Sequence, residues 1–166
     1  MATITIGGNE IHTQGTLPEV GSAAPDFRLT NTDLQDISLA DYKGKNVVLN
    51  IFPSVDTEVC AMSVRNFNQK MSDQDNTVVL CVSKDLPFAH KRFCAAEGLE
   101  NVIPASEYKD QSFSEAYHVD MTDGPLNGLM SRAVVVIDPQ GTVAYVEQVP
   151  EIAQEPDYEH ALAALK

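Results

Sequence analysis

Cysteine is scarce in this chain: Cys60, Cys81 and Cys94 are the three in 166 residues, and no two of them form a C-x-x-C pair. So thin a set does not make a disulfide scaffold. The histidines at 12, 90, 118 and 160 are scattered, so the ligand spacing of a zinc site is missing and no metal is expected. Positive charge is short as well, with 11 Lys and Arg against 24 Asp and Glu and a formal net charge of −13. A surface of that sign repels phosphates and anionic headgroups, which argues against nucleic acid and against membrane as partners. Apolar runs such as Val47 to Phe52, Val78 to Val82 and Ala133 to Ile137 fall far short of the roughly 20 residues that span a bilayer. The start, Met1-Ala2-Thr3-Ile4-Thr5-Ile6, lacks the basic residue and long apolar stretch of a signal peptide, and a cytoplasmic address is the expectation. With 43% hydrophobic residues the chain can bury one substantial core, and a single domain over residues 1–166 is expected.

Local patterning supplies the elements. Thr3-Ile4-Thr5-Ile6 and Glu10-Ile11-His12-Thr13 flank Gly7-Gly8-Asn9 and predict a hairpin. Phe27-Arg28-Leu29 and Ile37-Ser38-Leu39 predict short strands. The three β-branched runs named above suit strands buried on both faces of a central sheet, and Val143 to Val149 follows the last of them across the Asp138-Pro139-Gln140-Gly141 turn. Helices are predicted for Val59 to Met71, Pro87 to Glu97, Ser112 to Tyr117 and Asp157 to Leu165. Strands alternating with helices give an α/β layer structure with helices on both faces of the sheet.

Cys60 closes the run Pro53-Ser54-Val55-Asp56-Thr57-Glu58-Val59-Cys60, where a buried strand becomes a helix. An open helix N-terminus favours negative charge, and the thiolate is the species that attacks. Helical spacing puts Cys60, Val64, Phe67 and Met71 on one inward stripe. A free cysteine is ordinarily a small core hydrophobe, so from Cys60 alone both roles stay open. Thr57 suits an N-cap and can also reach a group held near the sulfur. Pro53 suits a strand end and removes an N–H from a loop that must pack over the sulfur. Arg132 opens a strand; by residue type alone it reads equally as a solvated surface arginine. Cys81, inside Val78-Val79-Leu80-Cys81-Val82, reads as a packed, inert thiol.

The pattern P-x-x-x-T-x-x-C with a distant arginine resembles the peroxiredoxins. Asp85-Leu86-Pro87-Phe88-Ala89, Arg92-Phe93-Cys94 and Ser131-Arg132-Ala133-Val134-Val135-Val136-Ile137-Asp138 narrow the likeness to the bacterial thiol peroxidases, the atypical 2-Cys subgroup. The resemblance covers nearly the whole chain. It implies a thioredoxin-like fold with a central mixed sheet, an N-terminal β-hairpin and no cofactor.

The same resemblance assigns site roles: Cys60 as peroxidatic nucleophile, Pro53 and Thr57 as its pocket, Arg132 as the cation that holds thiolate and peroxide, and Cys94 as the resolving cysteine. It implies reduction of hydrogen peroxide and organic hydroperoxides through a Cys60 sulfenic acid, a Cys60–Cys94 disulfide recycled by thioredoxin, and a homodimer. A disulfide needs Cα atoms within about 7 Å, so two cysteines on different helices imply local unwinding around one of them. His90, Lys91 and Arg92 either encourage ionisation of Cys94 or form a solvated helix face. Met62, Phe88, Leu126, Leu129 and Met130 either rim the entrance or pack in the core. Glu58 stands where the family usually carries a small residue, and its charge opposes a neighbouring thiolate. Two other classes remain in view: a redox sensor or binding module using the same disulfide, and a thioredoxin-type oxidoreductase, which the missing C-x-x-C disfavours.

Overall fold

β-Branched runs become strands where the pleated surface can bury their side chains on both faces. A computed structural model describes residues 1–71 and 74–166 of the chain. β1 (Thr3–Ile6) and β2 (Asn9–His12) pair antiparallel across Gly7 and Gly8, both at positive φ as a tight hairpin turn requires. They form a two-stranded sheet of their own.

The main sheet contains β3 (Arg28–Thr30), β4 (Asp36–Ser38), β5 (Asn46–Ile51), β6 (Thr77–Ser83), β7 (Ile103–Ser106), β8 (Ala133–Ile137) and β9 (Val143–Gln148). Its order is β4-β3-β7-β6-β5-β8-β9. β5, β6 and β7 run parallel, while the pairs β3–β4, β3–β7, β5–β8 and β8–β9 are antiparallel. The expected strands are therefore present to within a residue or two. β7 has no counterpart in the sequence reading, because Ile103-Pro104-Ala105-Ser106 is four residues long and holds a proline, which demotes a run as a strand. Leu39, expected in β4, instead begins a short 3-10 turn over Leu39–Tyr42.

Among the described residues four helices flank this sheet: α1 (Glu58–Met71), α2 (Pro87–Glu97), α3 (Ser112–Tyr117) and α4 (Tyr158–Ala163). Period-2 alternation sorts the sheet's side chains. Val47, Leu49, Ile51, Leu80, Val82, Val135 and Ile137 pack with Phe113 and Tyr117 of α3. Val48, Val79, Cys81, Val134 and Val136 pack on the other face with Cys60, Val64 and Phe67 of α1 and Ala161 of α4. Each such side chain fully buried is worth roughly 1.5–3 kcal/mol of transfer free energy, so covering both faces stabilises the sheet. A third cluster, Ile4, Ile11, Met121 and Ile152, seats the hairpin against the end of the chain that follows β9.

The fold positions the site through two exits. β5 and β8 are hydrogen-bonded neighbours with Ile51 opposite Ala133, so the residue that follows β5 and the residue that precedes β8 emerge at the same end of the sheet. Cys60 and Arg132 meet there.

Candidate active site

After β5 the chain passes through buried Phe52 and Pro53 and turns into α1. Thr57 takes the backbone role of a helix cap, its carbonyl accepting the Ala61 N–H at 3.0 Å. Its hydroxyl does not cap: it donates to the Ser54 carbonyl at 3.0 Å and closes the loop on itself. The stripe expected on α1 is observed, with Cys60, Ala61, Ser63, Val64, Phe67 and Met71 buried. Ser63 Oγ donates to the Cys60 carbonyl at 2.7 Å, and Asn50 on β5 donates to Ser63 Oγ at 3.2 Å, tying this first turn to the sheet.

Arg132 is buried, 2% exposed, so the solvated-arginine alternative does not hold. Its Nη2 donates to Cys60 Sγ at 3.2 Å and its Nε donates to the Ile152 carbonyl at 2.8 Å. Nη1 has no hydrogen-bond partner among the described residues. A permanent cation beside a buried sulfur stabilises negative charge there, and the remaining N–H groups can take an oxygen as charge develops on it.

A cavity of about 170 Å³ opens beside Arg132, lined by Pro53, Thr57, Glu58, Val59, Leu126, Arg132, Ile152 and Ala153; Cys60 is fully buried and does not line it. The lining is mostly apolar, and the single acid, Glu58, is exposed. Of the five residues considered for an apolar rim, only Leu126 lines it. Met130 is fully buried in the core, and Phe88 points outward at 66% exposure. Val59, Ile152 and Ala153 take the vacated places. Ile152 escaped the sequence reading because its contribution to Arg132 is a backbone carbonyl, which every residue carries.

Cys94 lies apart from this group. It is half-buried on α2 and lines a different cleft, with Thr32, Lys91, Leu99 and Pro104. All three cysteines are free thiols. Burial pushes the Cys94 thiol up to about 11, so the basic cluster does not promote its ionisation. The reason is geometric: His90 is buried and bonded to Ser83, while Arg92 is exposed and turned to Asp56 at 3.4 Å. Because a raised thiol pKa means a protonated thiol below it, iodoacetamide labelling of Cys94 in the folded, reduced protein is expected to stay slow at pH 7–9 and to climb only as the pH approaches 11. The unfolded chain should label at rates rising near the ordinary thiol value of about 8.5, and identical pH profiles for the two states would refute a buried Cys94.

Cys81 is fully buried, and its thiol is pushed up to about 12 by burial, against the opposing donation from Asn50 Nδ2 at 3.8 Å. It is packed in the core, as expected.

The Redoxin family model matches residues 19–162. Thiol peroxidase from Mycobacterium tuberculosis is 62% identical over 165 residues, covering 99% of each chain. The thiol peroxidase of Corynebacterium glutamicum is 52% identical over the same length, again covering 99% of each. Among solved structures, a peroxiredoxin-like protein from Aquifex aeolicus superimposes with a TM-score of 0.92 at 38% identity, covering 97% of this chain and 94% of that one. Thiol peroxidase from Chromobacterium violaceum gives 0.89 at 21% identity over 97% and 93%, a likeness of fold.

The mixed, helix-flanked sheet is the thioredoxin-like fold, and with the whole-chain likeness to thiol peroxidases it defines a peroxiredoxin-type enzyme. The chain belongs to the Redoxin family and, within it, to the thiol peroxidases.

Proposed function

We propose that this thiol-dependent peroxidase, a single domain over residues 1–166, uses Cys60 as its nucleophile with Arg132, Thr57 and Pro53 shaping the site. The observation that carries the reading is Arg132 Nη2 at 3.2 Å from Cys60 Sγ, with Nη1 of the same guanidinium unpartnered among the described residues. Cys60 thiolate attacks one oxygen of a hydroperoxide; an S–O bond forms and the O–O bond breaks. The leaving oxygen takes a proton and departs as water or an alcohol, and Cys60 is left as a sulfenic acid. The apolar lining of the cavity suits organic hydroperoxides as well as hydrogen peroxide.

Cys94 thiol then displaces the sulfenic hydroxyl as water and forms the Cys60–Cys94 disulfide. A dithiol of thioredoxin type returns both sulfurs to thiols by exchange. Cys94 lies in a separate cleft with its thiol protonated, so closure needs α2 or the start of α1 to unwind locally. A homodimer in the cytoplasm completes the reading, on resemblance to the family. Among the described residues no helix is long and apolar enough to cross a membrane.

Two measurements test the proposal. Steady NADPH consumption with thioredoxin, thioredoxin reductase and excess peroxide supports turnover; a stop after one equivalent points to a sensor instead. In Cys94→Ser, one equivalent of peroxide should be consumed and turnover with thioredoxin should then stall, so undiminished steady turnover would remove Cys94 from the cycle.

A further inference from the structure

Asp85, just past β6, accepts hydrogen bonds from both sides of the site. Its Oδ1 takes the Ser54 hydroxyl at 2.7 Å, and its Oδ2 takes the Val55 N–H at 2.9 Å. Ser54 Oγ accepts the Asp56 N–H at 3.1 Å, and the Ser54 carbonyl accepts both the hydroxyl and the N–H of Thr57. The loop between Pro53 and Cys60 therefore hangs on one carboxylate.

On its other side, Asp85 Oδ2 accepts the Ser83 hydroxyl at 2.5 Å. With that hydrogen committed, Ser83 Oγ accepts from His90 Nε2 at 2.8 Å. His90 is 1% exposed, and it stands one turn before Cys94 on α2. Its Nδ1 has no partner among the described residues, while Nε2 also stands 3.7 Å from Asp85 Oδ2, so the ring is tied to Ser83 and, more loosely, to the carboxylate itself. A chain of hydrogen bonds thus runs from the helix that carries Cys94, through Ser83 and Asp85, to the loop that carries Cys60.

We propose that Asp85 is a positioning residue for the peroxide reaction and a clamp on the step that follows. It holds the Cys60 loop in the form that meets peroxide, and it fastens that loop to α2. Closing the Cys60–Cys94 disulfide requires one side of the clamp to release. The inference rests on the function proposed above, but its content is separate: one carboxylate favours oxidation of Cys60 and opposes resolution.

Rapid-mixing kinetics on Asp85→Asn separate the two steps. The amide keeps the shape but cannot accept from Ser54, Val55 and Ser83 together. Oxidation of Cys60 by hydrogen peroxide, measured in a Cys94→Ser background, should slow about tenfold or more, since small misplacements of reacting groups carry such costs. Disulfide closure after oxidation, measured with Cys94 present, should quicken severalfold. A merely structural role would not split the rates in opposite directions. Ser54→Ala cuts one bond of the same chain and should show the same split more weakly; it serves as the test if Asp85→Asn does not fold. Unchanged rates, or both steps slowed together, would overturn the clamp while leaving the peroxidase cycle intact. Absence of a Cys60–Cys94 disulfide in the unaltered protein, by peptide mapping after one equivalent of peroxide, would overturn both.

Discussion

Cys60→Ser is expected to bring peroxide consumption down to the rate of buffer alone while the protein stays folded. Serine differs from cysteine by one atom, and at this position it would meet the same surroundings: full burial, the Arg132 guanidinium on one side and the Val64 and Phe67 stripe on the other. A hydroxyl can still accept from Arg132 Nη2, so the buried donor keeps a partner. Stability should shift by no more than about 1 kcal/mol, a Tm change of a few degrees for a chain of this size. Chemistry is another matter. The alcohol stays protonated near neutral pH and has no accessible two-electron oxidation of the kind that takes a thiolate to a sulfenic acid. Thermal melts together with peroxide consumption separate the two effects. Retained activity in a folded Cys60→Ser protein would remove Cys60 from the mechanism altogether.

Arg132→Met should lower the peroxide rate constant by about 10²–10³, the usual cost of removing one aligned donor to developing charge. Two opposing terms govern its stability. Losing Nε leaves the Ile152 carbonyl without its donor, at about 1–3 kcal/mol. Against that, methionine takes a buried charge out of the interior, and such replacements are often neutral or stabilising. The net change in Tm should therefore be small beside the loss of activity. Arg132→Lys should not restore the rate, because an ammonium is a point charge and cannot span the Ile152 carbonyl and the Cys60 sulfur with a third donor free. Peroxide kinetics on both variants test this, and a lysine variant within a factor of about two of the unaltered protein would show that charge alone, without the fork, suffices.

The folded structure also corrects what α2 contributes. Three consecutive basic residues beside Cys94 suggest an activated thiol, yet His90 turns inward to Ser83, Arg92 turns outward to Asp56, and Lys91, which shares the Cys94 cleft, does not offset the burial that raises the thiol. Adjacency in sequence places residues on different faces of a helix, so charge near a cysteine in the chain is not charge near its sulfur. Cys94 is instead a half-buried thiol whose pKa burial raises to about 11.

Much of the molecule was legible before folding. Runs such as Val47 to Phe52 and Ala133 to Ile137 declare strands covered on both faces, and Cys60, Val64, Phe67 and Met71 declare the buried stripe of α1. These signals are local: they need only a period of 2 or 3.6 read over a few residues. The proline, threonine and cysteine of the loop are likewise within eight consecutive positions. β7 is the counterexample. Its four residues with a proline carry no periodic signal, and only pairing with β6 and β3 makes them a strand.

Local pattern in the chain gave every element but β7 and the short 3-10 turn, together with the cysteine at a helix start. Only the tertiary structure decided which groups meet there. Arg132 reaches Cys60 from 72 residues away because β5 and β8 are neighbours in the sheet. Arg132 is held in turn by the Ile152 carbonyl, itself set by the bond from the Ile152 N–H to Thr5 of the N-terminal hairpin. Asp85 gathers Ser54, Val55 and Ser83 because β6 ends beside the loop after β5. Backbone carbonyls and strand-order neighbours leave no mark in local composition. Periodicity reports which face of an element is buried, and only packing reports against what.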